Sequence, residues 1–401
     1  MAIINQFMPC SSNDPGTLGA FDKVIHQYLR YSTETLSILE VVQANDPAFA
    51  MGHLFRGYQL KMASDPRFIP PIDQTIQAAE QAASNPREQA HLAALKAWRR
   101  DDTRKASAIL GEILTEHPTD LIALKAANHL HFYRGDAQGM LGAIQESLPH
   151  WPEDHPWRSF VVGMLAFGHE ECGHYAQALD YGQAAVTAEP LDMWAAHAVA
   201  HVHHMQSDFD AGIAWIDDCL PSWTHTNNFS NHLIWHKALM LLDRNQAAQA
   251  LALYDETLID CLRDDFYLDV CNAASLLWRL EMKGLDLGDR WTALTPYYHR
   301  AKDQELVFIA LHYVMVAVKN GDQEAVEAAL NNLTRWAQQP EEQGRVCSAV
   351  GLETARALID LTHGQEKRGV DLLMTLQPEL HAIGGSHAQR ALFTDFIQHY
   401  S

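Results

Sequence analysis

The sequence predicts an all-α protein built as a right-handed α-solenoid of about ten helical hairpins. Three observations predict it. A second-helix signature recurs about every 32 to 38 residues, its fullest copy being Gly173-His-Tyr175-Ala-Gln-Ala178-Leu followed by Ala185 and Pro190. Pro, Gly, Asn or Asp punctuate apolar helical stretches, as at Asn85-Pro86, His117-Pro118, Trp151-Pro152, Glu189-Pro190, Gly321-Asp322 and Gly384-Gly385. No segment alternates apolar and polar residues as a half-buried strand does, and no hairpin dipeptide joins two β-rich runs.

First helices are expected to begin near Asp46, Arg87, Thr119, Pro156, Leu191, Asn228, Asp265, Gln304, Glu341 and Ser386. Second helices are expected over 105–116, 138–147, 176–188, 247–262 and 324–336. Ala178, Leu179, Ala184 and Ala185 are small and apolar at helical spacing, which lets neighbouring helices approach closely. A solenoid grows by stacking, so 401 residues need no domain split. Residues 1–18, with Cys10-Ser-Ser-Asn-Asp-Pro-Gly, read as a loose N-terminal segment and 19–401 as a single domain.

Composition excludes several partners. With 29 Lys and Arg against 50 Asp and Glu the formal net charge is −21, which disfavours nucleic acid and anionic membranes. The six cysteines are scattered without a CxxC pair, so a disulfide framework is not expected and a reducing, cytoplasmic compartment is. The first twenty residues lack the basic and apolar regions of a signal peptide, and no run approaches the about 18 apolar residues of a membrane span. Exposed second-helix faces leave a homo-oligomer open.

The strings His197-Ala-Val-Ala-His201-Val-His203, Asn231-His232-Leu-Ile-Trp235-His236-Lys-Ala-Leu239, Asp269 with Ser275-Leu-Leu-Trp278-Arg279-Leu280, and Gly384-Gly385-Ser386-His387-Ala-Gln389-Arg390 carry a resemblance. In order and spacing, beginning with Met51-Gly-His53-Leu-Phe-Arg56-Gly, they resemble the tetratricopeptide repeat protein 38 family across nearly the whole chain. The resemblance implies a tetratricopeptide-like helical solenoid and supplies no established reaction. Two positions depart from the family's usual residues: His204, where Glu is common, and His387, where some members have Asn.

The first helices line the concave side of such a stack, and there the unusual residues gather. Trp194, His197, His201 and His204 share one helix face, and His232 and His236 share the next. Members of each i,i+4 pair lie about 6 Å apart, so two adjacent faces can gather four imidazoles. Three readings stay open: acid/base work or substrate binding, a metal centre, and hydrogen bonding between packed helices. Neither HxxxH string contains the Glu of a zincin, which leaves the metal case incomplete, and metal-free chemistry without a cofactor is the expectation. Asp269, on the following first helix, can orient an imidazole or act as a helix-start carboxylate. Ser386 after two glycines is either a helix cap or, with His387 and Arg390, a holder for a carboxylate or oxyanion. His312, His53 with Arg56, and Trp235 complete the candidate substrate-binding set.

These residues point to an enzyme-like protein, a hydrolase or lyase acting on a polar or anionic small molecule. His197, His201, His232, His236 and Asp269 are the candidate catalytic residues. The alternative is a protein-interaction scaffold, the commoner use of the architecture. A carboxylate-clamp scaffold needs Lys, Arg and Asn along its first helices, where this chain has His, Trp and Asp. No nucleotide loop, dinucleotide fingerprint or nucleophile elbow is present.

Overall fold

A computed structural model describes residues 8–401. In chain order the helices are α1 (Pro15–Leu29), α2 (Thr35–Asn45), α3 (Ala50–Met62), α4 (Ile69–Ala82), α5 (Pro86–Arg99), α6 (Thr103–Glu116), α7 (Leu121–Tyr133) and α8 (Ala137–Ser147). They continue as α9 (Arg158–Glu171), α10 (Tyr175–Ala188), α11 (Met193–Met205), α12 (Phe209–Cys219), α13 (Phe229–Asp243), α14 (Ala247–Leu253) and α15 (Tyr267–Met282). The last are α16 (Val307–Lys319), α17 (Gln323–Trp336), α18 (Glu342–Val346), α19 (Leu352–Thr362), α20 (Glu366–Leu376) and α21 (His387–Tyr400). Among the described residues no strand occurs, only an isolated bridge between Ser32 and Thr226, so the protein is all-α. No helix of the described residues is long and apolar enough to cross a membrane.

Each expected first helix opens within a few residues of its predicted start, from Ala50 in α3 to His387 in α21. The turn that ends it is repetitive. After α9, Gly173 takes φ +76°, its N–H donates to the Glu170 carbonyl at 2.8 Å, and the His174 N–H donates to the His169 carbonyl at 2.9 Å. That is a left-handed cap in which the next helix begins at once. The same two bonds close α5 at Asp101, α11 at Ser207, α13 at Asn245, α15 at Gly284 and α16 at Gly321.

First and second helices differ in burial. α16 buries every residue from Val307 to Val318, whereas α10 buries only Ala178, Gly182 and Ala185, one narrow stripe. A Cβ added at Gly182 would come within 2.5 Å of a Val199 methyl, so this stripe lets α10 settle against α11. First helices are therefore the more interior ones, and many of the polar side chains they carry, His197, His201, His232 and His236 among them, are buried.

The described residues group into two compact units, where the sequence is read as one domain over 19–401: 8–131 with Ala137–Val202 and Asp217–Ser230, and Phe132–Asp136 with His203–Ile216 and Asn231–Ser401. The division runs through α7, α11, α12 and α13 and not through a linker, which is why composition gives no sign of it. Nor does a loose segment run to residue 18. The Asp14 carboxylate accepts the Thr17 N–H at 2.7 Å, Pro15 opens α1, the Ser11 N–H donates to Glu88 at 2.7 Å and the Ser12 hydroxyl donates to Asp46 at 2.7 Å. The Asp-Pro that reads as a turn is a helix start. The rest of that segment, residues 1–7, lies outside the described residues.

Candidate functional site

In the first unit the site is built from α9 and α11. Trp194, His197 and His201 follow at i, i+3 and i+7, so they share the face that α11 turns toward α9. Phe167 of α9 packs beneath all three, with ring centroids at 4.7, 5.3 and 5.5 Å. The two imidazoles meet edge to face at 4.4 Å. Glu170 lies three residues beyond Phe167 and is carried onto the same face, where its Oε2 stands 3.4 Å from His201 Nδ1. Both side chains are 0% exposed. One ligand atom each from Glu170, Glu171 and His201 lies within 4.8 Å of the others, a spacing a divalent cation can bridge. Burial and the charges of the two glutamates together push the nearby Tyr175 phenol up. Glu170 and Glu171 were not among the expected site residues.

The same face continues to a lysine. Lys125 of α7 is buried, and its Nζ lies 5.2 Å from the Trp194 ring centroid, 5.7 Å from Tyr28 and 5.9 Å from Tyr31. Burial lowers its ammonium to about 8, against the attraction of Asp192. Asp192 caps α11 by accepting the Ala195 N–H at 3.0 Å, and burial raises its carboxyl to about 7. His129, whose ring stacks on Trp194 at 6.3 Å, is lowered to about 4 by burial and then by the Lys125 charge.

His53 also belongs to the first unit. Its Nε2 donates to the Pro47 carbonyl at 2.8 Å and its Nδ1 accepts from the Gln43 amide at 3.1 Å, so both ring nitrogens serve the α2–α3 turn. Arg56 joins the same group through Gln43, at 3.3 Å.

The second unit holds the other pair. His232 and His236 stand one turn apart on α13 with their Nε2 atoms at 3.2 Å, so one ring donates and the other accepts. The Asn272 Oδ1, from α15, lies 3.2 Å from His232 Nδ1. With that carbonyl accepting, His232 carries its proton on Nδ1 and His236 supplies the one between the rings. Trp235 stacks on His232 at 5.2 Å, meets His236 at 4.8 Å and donates to the Ser275 hydroxyl at 3.1 Å. Trp235 is thus a wall of the histidine pair. Asp269 is buried one turn before Asn272, and its charge adds to burial in raising the Cys261 and Cys271 thiols.

At the glycine turn the cap dominates. The Ser386 N–H donates to Gln389 Oε1 at 2.8 Å and the Gln389 N–H donates to Ser386 Oγ at 3.4 Å, a reciprocal capping box that occupies two of the amides expected to hold an anion. Arg390 donates to the Gly385 carbonyl, and His387 is half-buried on the first turn. His312 is buried against Phe308, its Nδ1 donating to the Phe308 carbonyl at 2.8 Å, and burial holds it neutral, at about 4. Ser386→Ala is expected to lower stability by about 1 kcal/mol, read in a urea melt, because it removes the cap. An unchanged midpoint would contradict the capping role.

Close to that turn the free donor belongs to Arg279. Its Nε donates to Asp395 at 2.8 Å and its Nη2 to the Ala388 carbonyl at 3.2 Å, while its buried Nη1 has no partner among the described residues. Arg279 lines a cavity of about 320 Å³ with Lys283, His399 and His204, the last bonded to Asp243 at 2.9 Å. Asp243 and Asp395 line the same cavity, so its wall carries both signs of charge. Tested against models of known protein families, the chain matches none.

The expected site residues therefore fall in both units: His53, His197 and His201 in the first, and Trp235, His232, His236, Asp269, His312, Ser386, His387 and Arg390 in the second. His197 is brought to His201, and His232 to His236 with Trp235. His53 is tied to its own turn instead.

Proposed function

We propose that the chain processes a polar or anionic small molecule by proton transfer, in a hydrolase or lyase type of reaction, on a tetratricopeptide-like right-handed solenoid of about ten hairpins. Its resemblance to the tetratricopeptide repeat protein 38 family belongs to the same proposal. The observation that carries it is His201, wholly buried, facing the Glu170 carboxylate at 3.4 Å beside His197. A carboxylate there orients the ring and stabilises the imidazolium formed when His201 takes a proton. Six free thiols suit a reducing, cytoplasmic setting.

A second reading has its own observation: Glu170, Glu171 and His201 are spaced to hold a divalent metal, which would then activate water. Elemental analysis of protein purified without a metal-affinity tag separates the two, since a stoichiometric transition metal moves the chemistry to that ion. Metabolite profiling tests the enzyme reading itself. A strain lacking the chain and one carrying His201→Ala at normal abundance should accumulate the same polar compound. A scaffold would leave the His201→Ala strain like its parent.

A further inference from the structure

The buried cations of this protein are held in two different ways. Arg87 has Asp120 at 2.6 Å, Arg279 has Asp395 at 2.8 Å and Arg300 has Asp265 at 3.0 Å. Lys125 has no carboxylate within ion-pair distance among the described residues; three aromatic rings from α1, the turn after it and α11 surround its Nζ. Cation–π contacts return less than is lost on burying the charge. The neutral amine is therefore unusually accessible. Asp192, the acid whose charge acts on it, keeps Oδ2 without a partner among the described residues while Oδ1 caps α11. Its carboxyl titrates close to the amine. Tyr28, Tyr31 and His129 are only half-buried, so the cluster opens to solvent. A purely structural lysine at this place would sit charged beside a carboxylate, as the three arginines do.

We propose that Lys125 is a nucleophilic amine that forms an imine with an aldehyde or ketone, the carbonyl compound packing against Trp194, Tyr28 and Tyr31, with Asp192, which lies beyond ion-pair distance, exchanging the protons through solvent. The Nζ lone pair adds to the carbonyl carbon, the C=O π pair moves to oxygen, and a proton passes from nitrogen to that oxygen. Asp192 as the acid then protonates, through solvent, the hydroxyl, which leaves as water with the C–O pair while C=N forms. The iminium N–H returns its proton by the same route to the Asp192 carboxylate. One water is released, and no oxidant or reductant is consumed.

The inference rests on the proton-transfer reading of the same first helices and deepens it. An imine withdraws electrons from the adjacent carbon. The Trp194 ring, 5.4 Å from His197, places that carbon's surroundings next to the histidines, which favours a lyase over a hydrolase.

Reductive trapping tests it on the full chain. The protein is incubated at pH 7 with 4-carboxybenzaldehyde and sodium cyanoborohydride, and the adducts are mapped by peptide mass spectrometry. At pH 7 the neutral fraction of Lys125 exceeds that of an exposed lysine by on the order of a hundredfold. We expect an adduct at Lys125 formed at least about ten-fold faster than on any exposed lysine. Lys125→Met should lose it, and Asp192→Asn should slow it about ten-fold or more. Adducts spread over exposed lysines with none at Lys125 would overturn the proposal. That result comes from the parent protein and does not depend on either variant folding. No adduct at Lys125 together with turnover lost in His201→Ala removes the imine and leaves the proton-transfer reading. An adduct at Lys125 together with turnover indifferent to His201 supports the amine and removes the other.

Discussion

His201→Asn is expected to lower kcat for the accumulating compound by about 10² to 10⁴ with little change in KM, the scale on which a positioned proton-transferring group acts. Asn is preferred to Ala because the ring fills a site walled by Phe167 and His197, and a smaller residue there leaves a void. Glu170→Gln keeps the volume and removes the charge facing Nδ1, so it should also depress kcat, by about 10² or more. Far-ultraviolet circular dichroism and a thermal melt show whether each variant is folded. Two folded variants turning over like the parent would end the proton-transfer reading. A parent rate abolished by dialysis against EDTA and restored by a transition metal, with Glu171→Gln as damaging as Glu170→Gln, would move the chemistry to a metal.

Helix existence was legible because apolar periodicity and proline punctuation are local signals, and α5, α7, α9 and α11 open within a few residues of their expected starts. The repeated left-handed turn was legible only where a glycine marks it, as at Gly173 and Gly321. Asp101, Ser207 and Asn245 take the same conformation with side chains, Asp and Asn being the residues that tolerate it best. The division into two units was not legible at all, since it cuts through helices that look continuous in sequence.

At the site, i,i+4 spacing secured the pairing of His197 with His201 and of His232 with His236, because one helix face sets it. Glu170 and Asn272 reach these rings from neighbouring helices, and no spacing within one helix reports that. Lys125 did leave a signal: a single charge within Leu121-Ile-Ala-Leu124-Lys125-Ala-Ala127, a stretch buried throughout. Gln389 at the third position after Ser386 likewise pointed to a capping box.

Asp120→Asn is expected to be the most destabilising of these substitutions, by about 3 to 5 kcal/mol, or roughly 5 to 15 °C in Tm. Asp120 is wholly buried at the start of α7. It takes Arg87 Nε at 2.6 Å and His91 Nε2 at 2.9 Å, and its Oδ1 accepts the Ala123 N–H at 3.1 Å. Tyr58 of α3 completes the group by donating to the His91 carbonyl at 2.9 Å. Burial alone would raise the carboxyl, but Arg87 and then His91 outweigh it and hold Asp120 well below the usual carboxylate range. Burial lowers His91, which stays neutral and donates a hydrogen bond. Both folded-state values lie below their unfolded ones, so the unfolded chain binds the extra protons as pH falls. The stability from His91 is complete above about 6.5 and that from Asp120 above about 3.9, and each is lost toward lower pH. Asp120→Asn should therefore flatten the acid limb of the stability curve as well as lower its plateau. Replacing both partners, as Arg87→Met with Asp120→Leu, should cost less than Asp120→Asn alone, because no buried charge is then left unpaired. Urea melts from pH 3 to 8 read both effects. A parent-like midpoint in Asp120→Asn, or a double variant weaker than the single one, would mean that this network does not hold α5 to α7.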